Sequence, residues 1–170
     1  MDERAGRTLI VGLGSPILRD DAIGLYVARE LAGLLPADRF SVVEAGAAGL
    51  RLLFLLEGWE RAVVIDAMRE PLDPADGLSP GRLNRLSLDQ LHSTLALNTS
   101  HEASLADTLA LGRMMGMTLP REIPIFGIEV EDPFTFSEEM SAGLTERVDA
   151  IAQEIAEHCL HALSVSAYPA

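Results

Sequence analysis

A strand–turn–helix segment near the amino terminus constrains the possible folds more than any other stretch of the chain. It covers residues 9–24, LIVGLGSPILRDDAIG, and opens with an apolar run typical of a buried parallel strand. The run breaks at Gly12 and Gly14, and helical spacing of apolar residues begins after Asp20 and Asp21. The acidic pair is therefore predicted at a helix start. The segment is predicted to be a βα unit, and the side chains that could take part in catalysis or binding lie on its connection.

The glycine turn is similar to a dinucleotide-binding fingerprint but lacks its third glycine. After Gly12 and Gly14, the third glycine of GxGxxG would fall at position 17, which is Ile17. A pyrophosphate docked at this turn would also face two carboxylates, which would repel it. We therefore expect no nucleotide cofactor.

The pair Asp20–Asp21 also has ordinary structural explanations. A carboxylate at the helix start can cap the helix and interact favourably with its dipole, which is worth about 1 kcal/mol. Only one of the two can be the N-cap residue, so the other is either solvated or has a separate role. From this stretch alone, a solvated carboxylate is the favoured interpretation.

Length and composition indicate one globular domain. The chain has 170 residues, is 48% apolar and shows no repeat period, so residues 1–170 are predicted to form a single domain with flexible ends at 1–7 and 162–170. No apolar run is long enough to cross a membrane, and no signal peptide is recognisable. These features predict a cytoplasmic protein without membrane insertion.

The charged residues exclude several kinds of chemistry. The formal charge is −13, and all 13 basic residues are arginine. Such acidity argues against nucleic acid or an anionic membrane as a partner. Because the chain has no lysine, it cannot contain a Walker A lysine, a Schiff-base lysine or a Ser-Lys dyad.

The single cysteine, Cys159, indicates a structural role. One cysteine excludes an internal disulfide framework and fits a reducing compartment. Its spacing from Val148, Ile151 and Ile155 places it on the apolar face of a predicted helix. We therefore expect Cys159 to pack in the core rather than to act as a nucleophile.

Strands alternating with helices predict an α/β fold, a three-layer αβα sandwich around a mostly parallel twisted sheet of about five strands. The most apolar runs, in the first and third strands, are expected at the centre of the sheet, and the half-polar fourth strand at an edge. The predicted strands are 8–13, 40–44, 61–66, 82–88 and 123–130, and the predicted helices are 21–35, a short one before 58, 102–115 and 137–161.

Ligands of such sheets bind at the carboxyl ends of the strands, so the polar residues there are the candidate site. Two carboxylates and one imidazole from separate connections could share a borderline divalent ion or form a general acid–base set. In the ordinary structural interpretation, Asp66 bonds to backbone near its strand end and His101 caps a helix. Spacing alone leaves these possibilities open. The candidates are Asp20, Asp21, Glu44, Asp66 and His101.

Four segments in sequence order, covering about residues 8–160, resemble the maturation endopeptidases of nickel–iron hydrogenases. The segments are GLGSPILRDDAIG, VVEAGAAGL, VVIDA and TSHEASLADTL. The resemblance implies a phosphorylase/hydrolase-like fold and a divalent metal, most simply nickel, bound by Asp21, Asp66 and His101. It also implies that the loop with Gly46 and Gly49 binds the substrate.

The chain departs from the pattern of this family at four positions near these segments. Ser15 replaces a usual asparagine, Ala45 a common glycine and Ala47 a common threonine, and Glu102 stands where some members have glutamine. None of the departures affects the three implied metal ligands. Two of them lie on the loop implied to receive the substrate.

The resemblance implies a narrow reaction, the removal of a C-terminal tail from a nickel-loaded hydrogenase large-subunit precursor. The precursor supplies the nickel, and Asp21 and Asp66 act as catalytic residues that position or deprotonate water. The expected enzyme is a monomeric, metal-dependent endopeptidase. Two alternatives stay open, a non-catalytic binder or chaperone of a metallated partner and a different peptidase on the same fold.

Overall fold

The structure, a computed structural model, describes residues 4, 6–46, 50–71, 73–86 and 105–166. These residues form an α/β fold, as the alternating pattern predicts. In chain order the elements are β1 (Thr8–Leu13), α1 (Ile23–Leu34), β2 (Phe40–Ala45), α2 (Leu50–Leu56), β3 (Arg61–Met68), a 3₁₀ turn (Pro74–Asp76), β4 (Leu83–Leu86), α3 (Leu105–Met114), β5 (Ile125–Glu129), α4 (Ala142–Thr145) and α5 (Val148–Ser166).

The five strands form one sheet in the order β2-β1-β3-β5-β4. β4 pairs antiparallel with β5, and the other three pairings are parallel. β3 is central and β1 lies beside it, which confirms the prediction from their apolar runs. β4 lies at an edge, as its half-polar sequence predicted, and its last two predicted residues, 87 and 88, lie outside the described part of the chain.

Helices cover both faces of the sheet because the interior strands are apolar on both sides. Ile65 of β3 belongs to a core shared with α1 and α5, which includes Ile151. The neighbouring Val64 faces the opposite core, shared with α2 and α3, which includes Leu109. This arrangement is the predicted three-layer sandwich. No helix of the described ranges is long and apolar enough to cross a membrane.

Cys159 lies in the first of these cores and is buried, which confirms its structural interpretation. Burial raises the pKa of its thiol to about 11, and the nearby Arg85 only partly opposes the effect. The thiol therefore stays protonated at neutral pH and is a weak nucleophile.

Two element boundaries differ clearly from the sequence-based prediction. β3 continues for two residues beyond Asp66, to Met68. The predicted helix 137–161 is wrong at its start: the chain forms the short helix α4 and then α5, which begins only at Val148. The amide of Ser137 instead donates to the Ile17 carbonyl oxygen, and the amide of Ser141 donates to the Asp20 carboxylate. These distant partners hold residues 137–141 outside a helix.

Glycine allows α1 to start directly against the sheet. A Cβ on Gly24 would overlap the carbonyl oxygen of Leu13, and a Cβ on Gly12 would overlap that of Gly24. Gly14 has a φ of 145° and lies against the carbonyl of Asp21 in the same way. The glycines of the first segment thus bring the β1–α1 connection, and its acidic pair, close to the strand ends.

Candidate functional site

Asp21 is a buried carboxylate on the β1–α1 connection. It is only 4% exposed, and its Oδ2 atom accepts a hydrogen bond of 2.6 Å from the Ser15 amide. Burial raises the pKa of Asp21, and the Ser15 hydrogen bond opposes this rise without cancelling it. Within the described residues no basic side chain forms an ion pair with Asp21.

Asp20, the neighbouring carboxylate, joins two loops that are far apart in sequence. It is 1% exposed, and it accepts hydrogen bonds from the amide of Ser141 at 2.9 Å and from that of Asp132 at 3.2 Å. Its own amide donates to the Asp132 carbonyl oxygen at 3.1 Å. A carboxylate satisfied by two backbone amides is stable when buried, so Asp20 anchors the β5–α4 loop to the β1–α1 loop.

These contacts overturn the interpretation of the pair from sequence. The N-cap residue of α1 is Ala22, which makes no side-chain capping bond, and the first turn holds no acidic residue. Neither aspartate caps the helix, and neither is solvated. A helix-start pattern can place an acidic pair on a connection, but it cannot distinguish a cap from a carboxylate whose donors come from another loop.

The two loops also pair through their backbones. Leu18 forms an isolated antiparallel bridge with Phe136. On either side of it the Arg19 amide donates to the Thr135 carbonyl oxygen at 2.9 Å, and the Ser137 amide to the Ile17 carbonyl oxygen at 3.0 Å. We call residues 17–20 together with 132–137 the bridging ribbon. Asp21 directly follows its first segment in the chain.

Asp66 lies on the central strand β3, where its side chain is partly exposed. Its Oδ1 atom accepts a hydrogen bond of 2.9 Å from the amide of Ala67. In the parallel register, Gly12 of β1 is paired with Ile65, so Asp66 stands one residue beyond the partner of Gly12. Asp66 and the β1–α1 connection that carries Asp21 therefore lie at the same carboxyl edge of the sheet.

His101 and Gly49, the other residues that the resemblance implies, lie outside the described residues. The convergence of Asp21, Asp66 and His101 therefore stays a prediction. Among the described residues, which do not include His101, no group of three or more His, Cys, Asp or Glu side chains could hold a metal ion. Gly46 is exposed, and a Cβ there would meet nothing within 4 Å, so its loop position leaves open space for a ligand.

Glu44, another candidate from the sequence, has a different role. Its carboxylate forms two hydrogen bonds of 2.8 and 2.7 Å with the guanidinium of Arg29. The Arg29 hydrogen bond lowers the pKa of Glu44, and both side chains are largely exposed. Glu44 is thus half of a surface ion pair rather than a ligand in a cleft.

The structure adds a buried acid that sequence reasoning missed, Glu129 at the end of β5. Its carboxylate is fully buried and accepts hydrogen bonds from the Ser79 amide at 2.7 Å and from the Asn84 side chain at 3.0 Å. The Nε atom of Arg82 lies 3.5 Å away. Glu129 therefore fixes the loop before β4 against β5. The one feature of the sequence that could have indicated a buried Glu129 was its position at the end of an apolar strand.

The carboxyl edge thus combines a fixed framework with a buried carboxylate, Asp21, that has no counter-ion among the described residues. Asp20 and Glu129 have several donors each and hold loops in place. Asp21 accepts one backbone hydrogen bond and has a raised pKa. Such a group can bind a cation, which would offset the cost of its burial, or can accept a proton from water.

Comparison with known proteins gives one consistent family. The sequence model of hydrogenase maturation proteases matches residues 25–162. The chain is 29% identical over 163 residues to the hydrogenase 2 maturation protease of Escherichia coli strain K12, which covers 94% of this chain and 92% of that protein.

Solved structures of such proteins share the fold. The hydrogenase maturating endopeptidase HybD from E. coli superposes with a TM-score of 0.70 at 23% identity, covering 94% of this chain and 93% of that one. The nickel–iron hydrogenase maturation protease HycI from Thermococcus kodakarensis gives 0.67 at 22% identity, covering 89% and 91%. The five-stranded, mostly parallel sheet flanked by helices is therefore the architecture of these proteins.

Proposed function

We propose that this chain, which belongs to the hydrogenase maturation protease family, removes the C-terminal extension from a nickel-loaded hydrogenase large-subunit precursor. The family makes it a maturation endopeptidase. The proposal adds that Asp21, Asp66 and His101 together recognise the nickel that the precursor already holds, and that the loop with Gly46 and Gly49 receives the precursor.

One observation carries this proposal, the environment of Asp21. Its carboxylate is almost fully buried, and within the described residues its one hydrogen-bond donor is the Ser15 amide. An ionised carboxylate in such a place is costly unless a cation neutralises it. A divalent ion that arrives with the substrate supplies this cation only when the correct precursor is bound.

The donor set fits this role. Two carboxylate oxygens and one imidazole nitrogen suit a borderline divalent ion such as nickel. Three protein donors leave coordination positions open, in contrast to structural sites that close four positions with Cys or His. The ligands that the precursor already provides can occupy the remaining positions. Selectivity against the nickel-free precursor then follows from the loss of these bonds.

The acids of the chain have separate tasks in the hydrolysis. The raised pKa of Asp21 makes its carboxylate a better proton acceptor, so it can take a proton from the attacking water when it is not fully engaged with the metal. Asp66, at the same edge of the sheet, orients that water or binds the ion. A nickel ion held by the precursor would supply Lewis-acid polarisation of the scissile carbonyl. Asp21 would then pass the proton taken from water to the departing amine as the C–N bond breaks.

The test compares two precursors with enzyme that has been stripped of metal by a chelator. We expect release of the tail, followed by mass spectrometry, from the nickel-loaded precursor but not from the nickel-free one. Equal cleavage of both would contradict nickel recognition. Stripped enzyme that stays inactive until zinc is added would identify an ordinary hydrolase with its own metal.

Substitutions test whether tail release depends on the proposed metal ligands. His101→Ala should abolish tail release while the circular dichroism spectrum is unchanged, because two carboxylates alone leave the ion under-coordinated. Cys159→Ser is the control and should process normally. Wild-type protein that binds the loaded precursor without releasing the tail would instead indicate a non-catalytic partner.

A further inference from the structure

The bridging ribbon exposes large apolar side chains beside the candidate site. Phe136 is 80% exposed, and Ile17 and Phe134 are about half exposed. Leu18, directly opposite Phe136 in the bridge, is half-buried. Scattered apolar residues on a surface need no explanation, but three exposed ones and a half-buried fourth within one short ribbon are typical of a surface that contacts another molecule. We call these four side chains the apolar lip.

The geometry of the bridge places two of them side by side. The hydrogen bonds of the bridge run from residues next to Leu18 and Phe136 and not from these two residues themselves. Leu18 and Phe136 therefore form a non-hydrogen-bonded antiparallel pair, in which the side chains share one face and come closest. Their contact creates an apolar surface larger than either side chain alone.

Charged groups hold the ribbon rigid. Besides the two amides that Asp20 binds, the Oδ1 atom of Asp132 accepts a hydrogen bond of 3.0 Å from the Thr135 amide. Arg19 lies 3.8 Å from the other oxygen of Asp132. A surface fixed in this way loses little entropy when it binds a ligand.

The apolar lip adjoins both acidic segments of the candidate site. Leu18 precedes Asp21 by three residues on the same connection. Phe134 lies against the guanidinium of Arg69, which is 5.3 Å from the ring centre, and Arg69 follows Asp66 by three residues. A peptide that reaches the two carboxylates would therefore pass beside the lip.

We propose that the apolar lip is a substrate-binding subsite that takes an apolar segment of the precursor next to the cleaved bond. This inference rests on the proposed function. The occupant follows from the position, because a second copy of this chain on the lip would cover the edge with Asp21 and Asp66 and block processing. Arg69 is exposed and the Arg19 side chain is 42% exposed in a chain of charge −13, and both also favour a segment with neighbouring carboxylates.

The test measures tail release over a range of concentrations of nickel-loaded precursor. We expect Phe136→Ser to raise KM by about tenfold or more, because an aromatic anchor contributes strongly to binding, while kcat changes less than about twofold. Phe136→Leu keeps an apolar side chain and should recover most of the affinity. Met114→Ala is the matched control, because Met114 is 85% exposed and ends α3 at the opposite edge of the sheet.

Three results would overturn the subsite. They are an unchanged KM for Phe136→Ser, an equal rise for Met114→Ala, and a dimer of the wild type that becomes monomeric in Phe136→Ser without a change in KM. The binding of loaded precursor to wild-type protein, measured separately, distinguishes this failure from failure of the proposed function. If the wild type binds but does not cut, the proposed function fails, and a tenfold weaker Kd for Phe136→Ser still supports the lip.

Discussion

The two edges of the sheet place their charged groups differently. At the carboxyl edge, the described loops bury acidic side chains, Asp20, Asp21 and Glu129, among backbone amides. At the amino edge, a cleft of about 360 Å³ is lined by apolar residues, Arg85, and the helix residues His158 and His161, with no carboxylate among its described lining residues.

The difference concerns where the protein buries carboxylates. Buried carboxylates persist only where donors or a positive ligand compensate their desolvation. The long connections at the carboxyl edge can turn amides toward these carboxylates, whereas the cleft at the amino edge is lined in part by Cys159 and Ala162 of α5. Substitutions at the first edge should therefore affect activity, and substitutions at the second edge should affect stability at most.

Asp21→Asn should produce the largest effect, a loss of tail release of at least about a hundredfold, because it would remove the metal ligand and proton acceptor that the proposed function assigns to Asp21. The isosteric change also removes the cost of a buried charge. Burial raises the pKa of Asp21, so the folded protein binds this proton more tightly than the unfolded chain, and wild-type stability falls as pH rises from 3.8 through the folded pKa. Above that range we expect Asp21→Asn to be as stable as the wild type or more stable.

Urea unfolding of both proteins at pH 4 and pH 7 checks this prediction. Asp38→Asn is a matched control, because Asp38 is an exposed carboxylate in the turn between α1 and β2, at the amino edge. It should leave tail release unchanged. Normal processing by Asp21→Asn would contradict the expectation that substitutions at the carboxyl edge affect activity.

Asp20→Ala should have the next largest effect, a loss of about 3 kcal/mol of folding stability, because the buried amides of Asp132 and Ser141 lose their acceptor. The bridging ribbon should also loosen. Hydrogen exchange of the Arg19 and Ser137 amides measures this directly, and faster exchange is the expected result. If exchange of these amides is unchanged in a destabilised variant, Asp20 does not anchor the ribbon.

Changes at Cys159, in the amino-edge cleft, should have the smallest effect. With a pKa of about 11, the thiol should react only slowly with a disulfide reagent at pH 8 and rapidly once the chain is unfolded in denaturant. Cys159→Ser should cost about 1 kcal/mol of stability and leave tail release unchanged. Rapid labelling of the native protein would show that the core at this edge opens more readily than its packing indicates.

The local pattern of apolar and polar residues was sufficient to predict most of the fold. The apolar runs predicted the strands around Ile10, Val64 and Phe126, and the half-polar run around Arg85 predicted an edge strand. Each of these features depends on neighbouring residues and on their average burial, which the sequence displays directly. The same holds for Cys159, because helical spacing alone gives its apolar face.

The acidic residues could not be interpreted in this way. Asp20 and Asp21 are adjacent in sequence, yet one anchors a distant loop and the other has no counter-ion among the described residues. The donors to Asp20 lie 112 and 121 residues away along the chain, so no local pattern identifies them. The same long-range hydrogen bonds explain why the predicted helix 137–161 does not begin at Ser137, because they engage the amides of Ser137 and Ser141.

The sequence by itself thus determined the order of the elements, the interior and edge strands, and the edge where acidic side chains collect, since short-range hydrophobic pattern and glycine spacing specify them. Only the tertiary structure decided which carboxylate is satisfied by two distant backbone amides and which has no counter-ion among the described residues. It also decided that apolar side chains of the bridging ribbon face water beside Asp21. Both depend on hydrogen bonds between segments more than a hundred residues apart, and such pairings exist only once the sheet has brought its connections together.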